Sequence, residues 1–221
     1  MDQRTLNMQD RRERIVDAAE RLIMRDSLSA FTMRGLADEV GLSVKTLYNL
    51  CSDKEAIAAE VENRAFASLE AELLALPTDG DPIDQAIDLM VAAADKAIHR
   101  KAVVLPVVRA KHDGQDTQNP RPIGFMGLGA QLAENALLRA IELGLLSKDL
   151  PSKLVARQLT LSWFGTAMLW GKGVVSDAEF VVRVRHLGAC TLLPHGEGEV
   201  AERLKADIRA AEKELLRLMS T

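Results

Sequence analysis

Apolar residues recur along this chain at the period of a helix, in one segment after another. Ile15, Ala18, Ala19, Leu22 and Ile23 follow an i, i+3, i+4, i+7, i+8 pattern and predict a helix from Arg11 to Met24. Arginines 11, 12, 14, 21 and 25 occupy its other side, diluted by Asp10, Glu13 and Asp17. Residues 1–9 read as a loose polar arm ahead of it. Two short helices follow, one with Leu36, Ala37 and Val40 on a shared face, the next with Val44 and Leu47. A long helix is predicted from Lys54 to Leu76, ended by the turn-forming run PTDGDP at 77–82. Ile83, Ile87, Met90, Val91, Ala94 and Ile98 stripe a helix from Ile83 to His99. Residues 102–110 are apolar all round, and Pro106 is expected to kink or end that segment. Residues 111–122 read as a polar loop. Helices are then predicted over Ile123–Gly144, Pro151–Gly171, Asp177–Leu193 and, past the HGEG break, Glu199–Met219.

The stretch TMRGLADEVGLSVKTLYNL, residues 32–50, carries the most specific signal. Thr32 and Ser43 are good N-caps for the two short helices. Gly41 at the corner can take the positive φ that ends the first of them. Ala37, four residues before Gly41, lets the second helix cross closely, and Leu47 fills the space beneath. This is the construction of a helix-turn-helix, whose second helix can enter the major groove of DNA. That helix presents Ser43, Lys45, Thr46, Tyr48 and Asn49 beside Val44 and Leu47. Lys45 can donate to guanine O6 or N7, and Thr46 can reach a base edge or a thymine methyl. Tyr48, the only tyrosine, suits either a phosphate contact or a half-buried packing role. Thr32 and the amides at its helix end can hold a phosphate. Arg34 and Lys54 complete the DNA-facing candidates, and Arg4, Arg11 and Arg12 offer further reach to phosphates or a minor groove. After the second helix, Ser52 with Glu55 spells a capping box, with Asp53 as a competing cap.

Composition supports an all-α chain: 48% of the 221 residues are apolar, 4% are aromatic and only 7 are proline. A net charge of -4 means that any basic DNA-binding surface is local rather than global. Cys51 and Cys190 stand far apart, in no metal-binding spacing, and fit a reducing compartment. No secretory signal pattern opens the chain and no run approaches a membrane span, so a cytoplasmic protein is expected.

The order IVDAAERLI, FTMRGLADEVGLSVKTLYN and DKEAI over residues 11–64 resembles the N-terminal domain of the tetracycline-repressor (TetR) family of bacterial transcriptional regulators. The resemblance implies a three-helix DNA-binding domain, here 1–53, and a C-terminal helical ligand-binding and dimerisation domain, 54–221. It implies a homodimeric repressor released from its operator by a small molecule. It also implies DNA contacts from Thr32, Lys45, Thr46, Tyr48, Asn49 and Lys54. Leu50 and Cys51 stand where the family commonly carries an aromatic or histidine and then phenylalanine. Gly35 inside the first of the two short helices costs roughly 1 kcal/mol against alanine.

In the family the last two apolar helices pair with their twins across the dimer, a role that fits residues 151–171 and 177–193. For a small hydrophobic effector the candidate walls are Met90, Val103, Val107, Phe125, Met126, Trp163, Phe164 and Met168, with Ala94 and Leu128 beside them. His99, Arg109 and His112 are candidate polar handles. The string GFMGLG at 124–129 is no dinucleotide fingerprint, since its spacing is wrong and no strand precedes it. Its glycines suit close approach by a helix or a ligand. No catalytic motif, cofactor site or metal spacing stands out. Two alternatives remain at this level: a helical interaction protein with degenerate DNA binding, and a thiol-based redox regulator acting through Cys51.

Overall fold

The computed structural model describes residues 3–112 and 121–220. Among them are ten α-helices and no strand; a single isolated bridge joins Leu146 and Gly196. The helices are α1 (Gln3–Asp26), α2 (Met33–Val40), α3 (Val44–Cys51), α4 (Lys54–Leu74) and α5 (Pro82–His99). Then come α6 (Lys101–His112), α7 (Arg121–Glu142), α8 (Ser152–Gly171), α9 (Asp177–Leu192) and α10 (Glu199–Met219), with a 3-10 turn at Leu193–His195. The chain forms two compact units, Met1–Ser68 with Arg100–Asn119, and Leu69–His99 with Pro120–Thr221.

In the first unit the apolar stripe of α1 is buried as its spacing predicts. Ile15, Val16, Ala18, Ala19, Leu22 and Ile23 pack with Phe31, Leu36, Ala37, Leu47 and Cys51. The same core takes Ile57, Val61 and Ala65 from α4 and Val103 from α6. Arg64 of α4 pairs with Asp17 of α1 at 2.5 Å. Several local expectations change. The arm expected at residues 1–9 is helical from Gln3, because no glycine or proline interrupts propagation once α1 has nucleated. Val44, expected on the buried face of the recognition helix, is 38% exposed, since it opens α3 before the helix has turned inward. The Ser52–Glu55 capping box does not form. Ser52 sits at φ 64°, and Asp53 caps α4 instead, its Oδ1 accepting from the Ala56 amide at 2.7 Å. Pro106 lies inside α6 without ending it. The polar loop expected at 111–122 falls mostly outside the described residues; its ends close α6 and open α7.

In the second unit α5 packs on α7, α8 and α9, and α9 is further covered by α10. Ile83, Ala86, Ile87, Met90, Ala93, Ala94 and Ala97 line the buried face of α5. Phe180 is fully buried between two tryptophans, with ring centroids 5.6 Å from Trp163 and 5.1 Å from Trp170. The Trp170 indole donates to Asp177 Oδ1 at 2.7 Å, tying the end of α8 to the start of α9. Ser176 and Glu179 form a full capping box there. Of the two helices expected at a dimer seam, α9 is therefore largely occupied within its own chain. It is α8 that turns leucines outward: Leu154, Leu161 and Leu169 are 65%, 55% and 46% exposed.

The turn between α4 and α5 is held from two sides. Arg139 of α7 donates to the Thr78 and Gly80 carbonyls and, at 2.8 Å, to Gln85 Oε1. Asp81 caps α5, its Oδ1 accepting from the Ile83 amide at 2.8 Å and the Asp84 amide at 3.3 Å. Its Oδ2 accepts from Arg203 of α10 at 2.8 Å. Pro82 follows at the first helical position, where its missing N–H removes nothing.

Candidate nucleic-acid interface

Each cap of the helix-turn-helix forms as its residue type dictates. Thr32 is extended at φ -134° and its hydroxyl accepts from the Gly35 amide at 3.1 Å. A Cβ on residue 35 would lie 3.2 Å from that hydroxyl, so glycine here leaves room for the cap. Gly41 ends α2 at φ 68°, where its amide and that of Leu42 bond back to the Asp38 and Ala37 carbonyls. The Ser43 hydroxyl accepts from the Thr46 amide at 3.1 Å and pairs with Thr46 Oγ1 at 2.8 Å. That last bond is local to the helix start, so Thr46 reaches outward chiefly through its methyl.

Leu47 and Cys51 pin α3 to the core, and this fixes which side faces out. Ser43, Lys45, Thr46, Tyr48 and Asn49 are all exposed, as are Thr32 and Arg34. Seven of the eight DNA-facing candidates thus stand on the outer surface of one helix pair. The eighth, Lys54, is half-buried at the start of α4, with Nζ 5.9 Å above the Phe31 ring. Arg11, Arg12 and Arg14 are exposed on α1; the side chain of Arg4 lies outside the described residues. Arg21 and Arg25 are engaged by Glu39 and Asp26. The cationic surface is therefore local, as a net acidic DNA-binding chain requires.

Cys51 is buried, and burial pushes its thiol above the ordinary range, with the nearby Arg12 guanidinium opposing this only in part. A redox-sensing thiol needs the opposite: access and a stabilised thiolate. The redox alternative is corrected accordingly; Cys51 is a small plug in the seam beneath α3.

The eight residues read as effector walls are divided between the two units. Val103 and Val107 belong to the first unit, Val103 to its core. They are apolar because α6 packs on α1. Met90, Phe125 and Trp163 are buried in the second unit, while Met126, Phe164 and Met168 are half-buried there. The Phe125 and Trp163 rings stand 5.9 Å apart. His99 is exposed with Nδ1 2.8 Å from the Asp95 carbonyl, and the side chains of Arg109 and His112 lie outside the described residues. A cavity of about 530 Å³ opens elsewhere in the second unit, between the end of α4, the 75–81 turn, α5 and α7. None of the eight lines it. The one sequence signal near it is the PTDGDP break.

Residues 15–61 match the family model for bacterial regulatory proteins of the tetR family. The HTH-type transcriptional repressor KstR of Mycobacterium tuberculosis is 22% identical over 161 residues, which cover 73% of this chain and 71% of KstR. Among solved structures, a TetR transcription regulator from Haloarcula marismortui superposes with a TM-score of 0.67 at 17% identity, over 86% of this chain and all (100%) of that one. FadR of Thermus thermophilus, a TetR-family repressor solved in complex with lauroyl-CoA, gives 0.54 at 22% identity, over 80% and 92%. With its capped helix-turn-helix, its all-helical fold and the tetR-family match over residues 15–61, the chain carries an N-terminal domain of the tetR type and is a DNA-binding transcriptional regulator.

Proposed function

We propose that the protein is a homodimeric repressor, acting in the cytoplasm, that leaves its operator when a small hydrophobic ligand binds its second unit. The observation that carries this is the outward face of α3, where Lys45, Thr46, Tyr48 and Asn49 are exposed on a helix anchored by Leu47. Lys45 reads guanine, the Thr46 methyl meets thymine, and Tyr48 with Thr32, Arg34 and Lys54 holds phosphates. The outward leucines of α8 support a seam with a second copy, which brings two recognition helices to the half-site spacing of about 34–36 Å. A ligand that favours another spacing lowers operator affinity, by a coupling of typically about 1–3 kcal/mol. KstR's description as a repressor and the lauroyl-CoA complex of FadR favour repression relieved by a small molecule.

The test is binding of the purified protein to DNA from upstream of its own gene, against unrelated DNA, at two salt concentrations. Salt-sensitive preference for the upstream DNA is expected. Equal, weak binding to both would count against autoregulation, and the same result on a genome-wide pool of fragments would sink the repressor reading.

A further inference from the structure

The cavity in the second unit has an apolar floor and an acidic rim. Leu73, Leu76, Leu89, Leu132 and Ala136 make the floor. Asp79, Asp81, Asp84 and Asp88 stand at the rim, with Arg139 as the only cation lining it among the described residues. That arginine is already occupied, since its guanidinium holds two backbone carbonyls of the turn and the Gln85 side chain. Two of the aspartates are occupied as well, Asp81 by Arg203 and Asp88 by Arg185 at 2.9 Å. Asp84 shares the same Arg203 at the longer distance of 3.7 Å, and among the described residues the Asp79 carboxylate has no ion-pair partner. Burial, and the neighbouring charges of Asp81, Asp88 and Asp207, push the Asp84 carboxyl above its ordinary range despite Arg203. An added positive charge at this rim would relieve that repulsion. An added negative charge would meet four carboxylates and an arginine that already commits three donors to the turn and Gln85.

Resting on the reading of the protein as an effector-responsive repressor, we propose that this cavity is the effector site and that it takes a cationic amphiphile. The apolar body lies on the Leu73, Leu89 and Leu132 floor, and an ammonium-like head lies between Asp79 and Asp84. A volume of about 530 Å³ falls within the roughly 300–1,000 Å³ of small-molecule sites. The rim is built from the turn that Arg139 holds and from the capped start of α5, so a head group between Asp79 and Asp84 pulls directly on both.

The test uses two probes with the same chain and opposite heads, decyltrimethylammonium and decanoate, each below its micelle-forming concentration. Calorimetry on the full-length protein reads both affinities. Decyltrimethylammonium is expected to bind about tenfold or more tightly than decanoate. Asp79→Asn and Asp84→Asn, both on exposed side chains, are each expected to weaken the ammonium probe several-fold and to leave decanoate no weaker. Decanoate binding as tightly, or an ammonium affinity that neither variant moves, overturns the proposal. A parallel titration follows release of operator DNA. Binding of the ammonium probe without release overturns the effector role of the cavity. A protein that binds no operator even without probe fails the repressor reading instead, and the calorimetric result on the cavity stands apart from that failure.

Discussion

Asp81 does two separable jobs, and substitutions can take them apart. Through Oδ1 it caps α5, accepting from the Ile83 and Asp84 amides; through Oδ2 it receives the Arg203 guanidinium from α10. Asparagine keeps the capping oxygen and loses the charge, whereas alanine loses both. An N-cap replaced by alanine costs about 0.5–2 kcal/mol, typically about 1. The ion pair is about one-third exposed on each side, with side-chain exposures of 37% and 32%, so solvent screening holds it to about 0.5–1 kcal/mol. Asp81→Asn is therefore expected to destabilise the second unit by about 0.5–1 kcal/mol and Asp81→Ala by about 1–3 kcal/mol. Arg203→Met should match Asp81→Asn and add little to it, since the two remove the same pair. Both tryptophans, Trp163 and Trp170, lie in this unit, so urea unfolding followed by tryptophan fluorescence reports it without interference from the first. The pH dependence carries a further check. Arg203 and the two capping amides hold the Asp81 carboxyl below its ordinary range. Its stabilisation is then fully present above the unfolded-state value near 3.9 and is lost as pH falls through the lower folded value. Asp81→Asn should lack that acid-limb loss. Equal damage from asparagine and alanine would refute the separation of cap from charge, and damage below about 0.5 kcal/mol from alanine would refute the cap itself.

Lys45→Ala should weaken specific operator binding by about 1–3 kcal/mol and leave non-specific binding nearly unchanged, whereas Lys54→Gln should weaken both and flatten the salt slope by about one unit; fluorescence anisotropy over a salt series separates them. Gly35→Ala gains about 1 kcal/mol of helix propensity but crowds the Thr32 hydroxyl, so it should be near neutral in the natural sequence and stabilising in a Thr32→Ala background; equal gains in both, by circular dichroism, would remove the steric argument. Cys51 should react with a disulfide reagent no faster than its unit opens, and rapid modification in the native protein would restore the redox reading. Leu161→Glu places a charge among the outward leucines of α8 and should shift sedimentation equilibrium toward monomer; an unchanged dimer would move the seam elsewhere.

What could be read from the chain alone divides by the range of the interactions involved. The caps at Thr32, Gly41 and Ser43 involve residues three to five apart, and each forms as its residue type dictates. Apart from the start of α1, at Gln3 rather than Arg11, helix limits fall within a few residues for the same reason, and Glu199–Met219 is met at both ends. Where two local solutions compete, residue types do not choose between them. Ser52 and Asp53 both cap well, and Ser52 at φ 64° leaves the role to Asp53. Burial is less local. Val44 sits at a helical spacing from Leu47, yet a helix of eight residues shows the core only part of one turn.

The proposed effector site depends on the longest-range information, and here periodicity misleads in a particular way. A stripe of apolar residues shows that a helix faces something, but a filled interior and a lined cavity produce the same stripe. Val103 illustrates the first case: it is apolar because it completes the core beneath the helix-turn-helix. Cavities arise where packing stops, and packing stops at breaks. In the second unit the break is PTDGDP, where α4 ends and the chain must turn before α5 can start. Polar groups are needed to satisfy the turn's carbonyls and the exposed amides of α5, and Arg139 and Asp81 meet that need. The same requirement concentrates charge beside the apolar residues at the end of α4. An acidic rim over a leucine floor is thus a consequence of ending one long helix and capping the next. In a helical ligand-responsive protein, the first place to seek polar specificity is therefore where an apolar helix stops against a capped one, ahead of the glycine-rich or methionine-rich stretches within helices.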